Sequence, residues 1–175
     1  MKRFLLLAIP LMLSFPAIAA TPWDHWRQVG HATLSWGPFD VYDSQLLTPE
    51  GHYQAQKWPQ ALVIDYLRSI DREELTKATE EQWQALGLLE QAQKNDWLNS
   101  VEKTWPDVSN GSEIVFLATE NGGQFYSRAP NSVLTQPIGE PFSTAFRDAF
   151  LDIWLSPATQ YPDLRNKLIG VIAPD

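Results

Sequence analysis

The sequence predicts an α+β protein in which helices cover one face of a mainly antiparallel sheet. Three observations lead there. Strand-like runs with period-2 alternation open the chain and are joined by tight turns. A long middle stretch then switches to helical spacing, and strands and helices follow in turn. Strands and helices thus come in blocks, without the strict βα alternation of a doubly wound parallel sheet.

The elements justify themselves in order. "RQVGHATLSW" (Arg27 to Trp36), a Gly37-Pro38 turn and "FDVYDSQLLT" (Phe39 to Thr48) form a predicted β-hairpin, and Pro49 to Gly51 supplies a further turn. "ALVIDYLRSID" (Ala61 to Asp71) is a strand by alternation, with Leu62, Ile64, Tyr66, Arg68 and Ile70 in one row. Arg68 is the awkward member of that apolar row. From Arg72 to Trp105 the period is helical. Thr79-Glu80-Glu81-Gln82 has the form of a capping box, and Gly87 is expected to weaken or kink the helix. A second helix carries Trp97, Val101 and Trp105 and is stopped by Pro106.

"EIVFLAT" (Glu113 to Thr119) is a strand, turned through Asn121-Gly122-Gly123 into "QFYS" (Gln124 to Ser127). A third helix is expected from about Pro141 to Leu155, with Phe142, Phe146, Ala149, Phe150 and Ile153 on one face; Ser156-Pro157 ends it. A short last helix has Pro162 in its first turn and Gly170 at its end. The total is five or six strands.

The start of the chain has another purpose. "MKR", the apolar run to Ala19 and the small-x-small Ala17-Ile18-Ala19 read as a secretory signal peptide over residues 1–19, followed by one domain over 20–175. The run is too short to anchor in a membrane. No cysteine is present, which excludes lipid attachment of the lipoprotein kind, disulfides and thiolate chemistry. A periplasmic or secreted protein is the expectation, with no stable membrane insertion once the leader is cut.

The formal charge is −8, with 21 acidic against 13 basic residues and no basic run, which argues against nucleic acid as a partner. His25, His31 and His52 lack metal-ligand spacing, so no metal and no cofactor are expected. Eight Trp, eight Phe and five Tyr are enough to build a core or to line a pocket.

Four stretches carry a family resemblance: "VYDSQLLTPEG" (Val41 to Gly51), "DYLRSIDREELTKATEEQW" (Asp65 to Trp83), "WPDVSNGSEI" (Trp105 to Ile114) and "FLDIWLSPATQYPDLRNKLIG" (Phe150 to Gly170). Together they resemble the chalcone isomerase-like family, in particular its exported bacterial branch, over nearly the whole chain after the leader. The resemblance implies an open-faced sandwich, one antiparallel sheet covered by helices, with a ligand cleft between the layers.

It also implies what a catalytic member would need: an early-strand Arg, a helix Tyr, an Asn and a Ser or Thr to stabilise developing negative charge. The early strand Val29 to Leu34 lacks the Arg, Arg27 lies off the motif, the helix Tyr position falls near Trp83, and only Ser156 matches. Other members of the wider family bind fatty acids.

The candidate ligand-binding residues are therefore Arg68, Tyr66, Trp83 and Ser156, each beside a plainer role. Arg68 is a stem on the core with its head paired to Asp71 or Asp107, or an anchor for an anionic ligand. Trp83, with Trp97, Trp105 and Trp154, is core packing or pocket lining. Ser156 is a helix terminus or a site residue. Three functions remain open: a binding protein for a fatty acid or other small hydrophobic molecule, an isomerase (intramolecular lyase) with an altered site, and a structural or partner-binding protein whose cleft is filled by its own aromatics.

Overall fold

The computed structural model describes residues 20–171; the signal peptide expected over 1–19 lies outside them. Six strands form one antiparallel meander in sequence order: β1 (Arg27–Trp36), β2 (Phe39–Thr48), β3 (Gln60–Tyr66), β4 (Glu113–Thr119), β5 (Gly122–Arg128) and β6 (Gln136–Phe142). Between β3 and β4 run α1 (Arg72–Ala85), α2 (Leu89–Lys94) and α3 (Trp97–Thr104). After β6 come α4 (Thr144–Leu155) and α5 (Pro162–Leu168).

Alternation sorts the central strands onto two faces. Leu62, Ile64 and Tyr66 of β3 and Ile114, Phe116 and Ala118 of β4 join the main core beneath the helices. Ala61, Val63, Val115 and Leu117 point the other way and are covered by Trp23 and Trp26 of the N-terminal segment, with Leu47 and Tyr126 beside them. Trp23 meets Tyr126 edge-on, ring centroids 4.8 Å apart. The sandwich is therefore less open than expected, because aromatic side chains preceding β1 close part of the second face.

Four expectations are corrected. The strand carrying Tyr66 ends there: Tyr66 exchanges backbone hydrogen bonds with Ser112 and Gly111, Leu67 turns to the Val41 carbonyl, and only an isolated bridge, Ile70 to Val108, follows. Arg68 falls in the intervening bend and leaves the apolar row. The cap of α1 is Asp71, whose carboxylate accepts the Glu74 N–H at 2.8 Å, eight residues before the expected cap at Thr79. Thr79 lies within the helix, donating to the Leu75 carbonyl.

Gly87 ends α1 rather than kinking it. It takes φ +74°, Leu88 N–H bonds the Trp83 carbonyl at 2.7 Å and Gly87 N–H that of Gln84 at 3.1 Å, a Schellman termination that favours a residue without Cβ. Finally, Pro141 and Phe142 belong to β6, and α4 begins after Ser143, whose hydroxyl accepts the Phe146 N–H.

Close approach fixes the last helix. A Cβ on Gly30 would stand 2.0 Å from the Lys167 carbonyl oxygen, so glycine lets α5 sit directly on β1. Among the described residues no helix is long and apolar enough to cross a membrane.

Candidate ligand-binding cavity

The space between the layers has two halves. Over β4 to β6 it is filled by aromatic rings. Trp83, fully buried, donates its indole N–H to the Ala149 carbonyl at 2.8 Å and packs against Trp97 and Phe146. Phe116, Phe125, Phe142 and Phe150 complete that cluster.

Over β1 to β3 a cavity of about 200 Å³ remains. Strand register builds its floor: Leu34, Tyr42 and Tyr66 stand directly opposite one another across three strands, and Ile64 faces Ile114 in the next row. The roof comes from Leu75, Thr79 and Gln82 of α1, which recur at helical spacing, and from Phe150, Ile153 and Trp154 of α4. Trp105 and Tyr161 close the sides. Glu74, Ala78 and Glu81 also border the cavity and are exposed, which puts the mouth along one face of α1.

The wall is mostly apolar, with a few placed polar groups, as a small-molecule site requires. Trp154 donates its indole N–H to the Tyr42 hydroxyl at 3.0 Å, and Tyr42 meets Tyr66 edge-on at 6.1 Å. Burial pushes both phenols well above the ordinary tyrosine range, so both stay protonated. Among the described residues the Tyr66 hydroxyl has no hydrogen-bond partner. The Gln82 amide makes one long contact, 3.4 Å to the Tyr161 hydroxyl, and leaves its other polar atom unmatched; the Trp105 indole nitrogen is also buried without a partner. Native interiors leave few such groups unpaired.

Of the four candidate residues, Tyr66 is in the cavity wall. Trp83 is in the packed half and its indole is already engaged. Arg68 is exposed at the β1–β2 hairpin, its guanidinium carbon 5.6 Å from the centre of the Phe39 ring. Neither expected carboxylate pairs with it: Asp71 caps α1, and Asp107 is 3.3 Å from Arg72. Ser156 follows α4, where its hydroxyl accepts the Ala158 N–H at 3.1 Å, and it does not border the cavity.

Sequence reasoning did not single out Tyr42 or Gln82. Tyr42 could be found only from the β2–β3 register, which the turn-rich connection between them hides. Gln82 is at helix spacing from Leu75 and Thr79, but the capping-box pattern of Thr79 to Gln82 gives it a different role. Trp105 and Trp154, for which core packing and pocket lining were both open, do both: they pack in the core and border the cavity.

A six-stranded antiparallel sheet, helices on one face and a cavity between the layers define an α+β protein of chalcone isomerase-like fold. The solved structure of a fatty-acid binding protein of Arabidopsis thaliana matches it with a TM-score of 0.58 over 90% of this chain and 91% of that one, at 13% identity. A curated relative, an uncharacterised protein of Haemophilus influenzae, is 29% identical over 160 residues, which is 91% of this chain and 74% of that protein. No family model matches the chain.

Proposed function

We propose that this chain is an exported, non-catalytic protein that binds a small hydrophobic molecule between its sheet and its helices. The observation that carries the reading is the cavity itself. Aromatics fill one half of the interlayer space, yet about 200 Å³ stays open in the other. An engineered apolar cavity of about 150 Å³ is enough to hold benzene. This favours a ligand site over a structural role with a filled cleft. The fatty-acid binding protein of the same fold supports the ligand class.

An isomerase reading finds less support. Cyclisation of a chalcone needs a cation and a hydroxyl beside the reacting oxygens. Among the described residues the cavity is bordered by no Lys, Arg or His, while Glu74 and Glu81 at its mouth would oppose developing negative charge. Purified protein should therefore cyclise 2′-hydroxychalcone no faster than buffer, and saturable turnover would overturn the non-catalytic reading.

Export rests on the apolar leader and its Ala17-Ile18-Ala19 site. Protein from a periplasmic extract should begin at Ala20 or Thr21; an intact Met1 would remove this part. Binding is tested by native mass spectrometry of that protein, and by Trp emission, since Trp105 and Trp154 border the cavity. Ala78→Phe plugs the mouth from an exposed helix position. It should abolish the ligand-dependent change in emission while leaving the melting temperature nearly unchanged.

A further inference from the structure

We infer that the cavity selects an uncharged amphiphile, an apolar body ending in a hydroxyl or carbonyl group, over the corresponding carboxylate. This rests on the ligand-binding reading above and adds the chemistry of the polar end.

Charge at the mouth is the first argument. Glu74 and Glu81 are seven residues apart on α1, so they flank the opening about 10 Å from each other along the helix axis. The neighbouring cations are placed elsewhere. Arg72 is held by Asp107, Arg165 donates to the Leu155 carbonyl at 2.7 Å, and Arg68 lies over Phe39. Lys77, three residues after Glu74 and four before Glu81, is exposed, makes no ion pair with either and does not border the cavity. A ligand carboxylate would give up its water on entering and meet like charge, which is costly without a paired cation.

The second argument comes from inside. Tyr66 is buried, borders the cavity, and has a hydroxyl with no partner. A neutral phenol can donate to a ligand carbonyl or exchange hydrogen bonds with a ligand hydroxyl. The unmatched Gln82 amide oxygen and Trp105 indole N–H, on residues of the same wall, are neutral as well but are covered by protein atoms, which leaves the Tyr66 hydroxyl as the group offered to a ligand. An acidic rim over a neutral polar interior excludes anions and admits alcohols, phenols or ketones.

The test compares 1-octanol with octanoate at about pH 8, where carboxylates are ionised, using Trp emission or calorimetry on the mature protein. Octanol should bind at least about tenfold more tightly, a difference worth about 1.4 kcal/mol. Because an alcohol partitions better into any apolar site, two variants isolate the residues named. Glu74→Gln with Glu81→Gln should strengthen octanoate binding several-fold and leave octanol unchanged, and added salt should narrow the octanol–octanoate gap in the unaltered protein only. Tyr66→Phe should weaken octanol several-fold without altering octanoate or the melting temperature. Octanoate bound as tightly as octanol, or rim and Tyr66 variants without these effects, would overturn this inference and leave the binding cavity standing. Failure of both probes to bind would overturn the cavity reading and this inference with it.

Discussion

The two halves of the interlayer space are built from the same residue types and end differently. Over β4 to β6, rings from α1, α3 and α4 pack both edge to face and stacked and leave no room; Phe146 is the centre, touching Trp83, Trp97, Phe116, Phe125, Phe142 and Phe150. Over β1 to β3, Tyr42, Tyr66, Trp105 and Trp154 surround an opening instead of closing it. The residues lining the roof explain the difference. One face of α1 lowers the Trp83 indole into the packed half, whereas Leu75, Thr79 and Gln82 on the neighbouring face border the cavity with smaller side chains. Filling follows side-chain size around one helix, so stability and binding are separable by face of α1.

The largest expected effect breaks the packed half. Trp83→Ala removes a fully buried indole together with its hydrogen bond to the Ala149 carbonyl, and should cost about 3–5 kcal/mol in denaturant unfolding. In the hollow half, Ile153→Ala should cost about 2 kcal/mol, the low end for such truncations, because part of its surface already faces open space. Equal costs for the two would mean that the halves are not mechanically distinct.

That division was only partly legible in the sequence. The β1–β2 hairpin and β4 are found with the bounds their alternation and turn residues predict. β6 was missed because "QPIGEPF" has two prolines, a glycine and no apolar alternation; it is an edge strand paired only to β5, where proline is tolerated. Helical period begins at Arg72 as α1 does, but the cap differs because two capping sequences compete, and tertiary placement of Asp71 beside the Ile70–Val108 bridge decides for the earlier one. Tyr66 was recoverable from alternation alone. The Tyr42–Trp154 hydrogen bond spans 112 residues, and no local pattern encodes it.

A smaller effect contrasts the helix-covered face with the other. On the outer face Asp65 stands opposite Glu113, and Arg128 lies 3.3 Å from the first and 3.0 Å from the second. Burial, reinforced by Glu113 and only partly offset by Arg128, raises Asp65 to about 6. The unfolded value is about 3.9, so the folded state binds more protons between the two. Stability from this group is present below about pH 4 and is lost as pH rises through about 6. Asp65→Asn should therefore stabilise the protein at pH 8. Two units correspond to at most about 3 kcal/mol, and solvent screening of the partly exposed group reduces this to about 1 kcal/mol. The gain should vanish near pH 4, and a gain that persists there would locate the strain elsewhere.

The smallest effect falls on the residue that stood out most in the sequence. Extended to Ile70, the β3 alternation would place Arg68 in line with Tyr66, next to the cavity. A cation there would anchor a carboxylate and reverse the expected ligand preference. The strand instead ends at Tyr66, and Arg68 rests over Phe39, itself 60% exposed. A cation–π contact in such a setting is worth about 0.5–1 kcal/mol, and Met retains part of the packing. Arg68→Met should thus lower stability by no more than about 0.5 kcal/mol and leave octanoate binding as weak as before. Measured octanoate affinity that falls in this variant would show that the guanidinium reaches the mouth when ligand is present. The acidic rim would then be counterbalanced, and the contrast between a closed structural half and an anion-excluding open half would lose its electrostatic side.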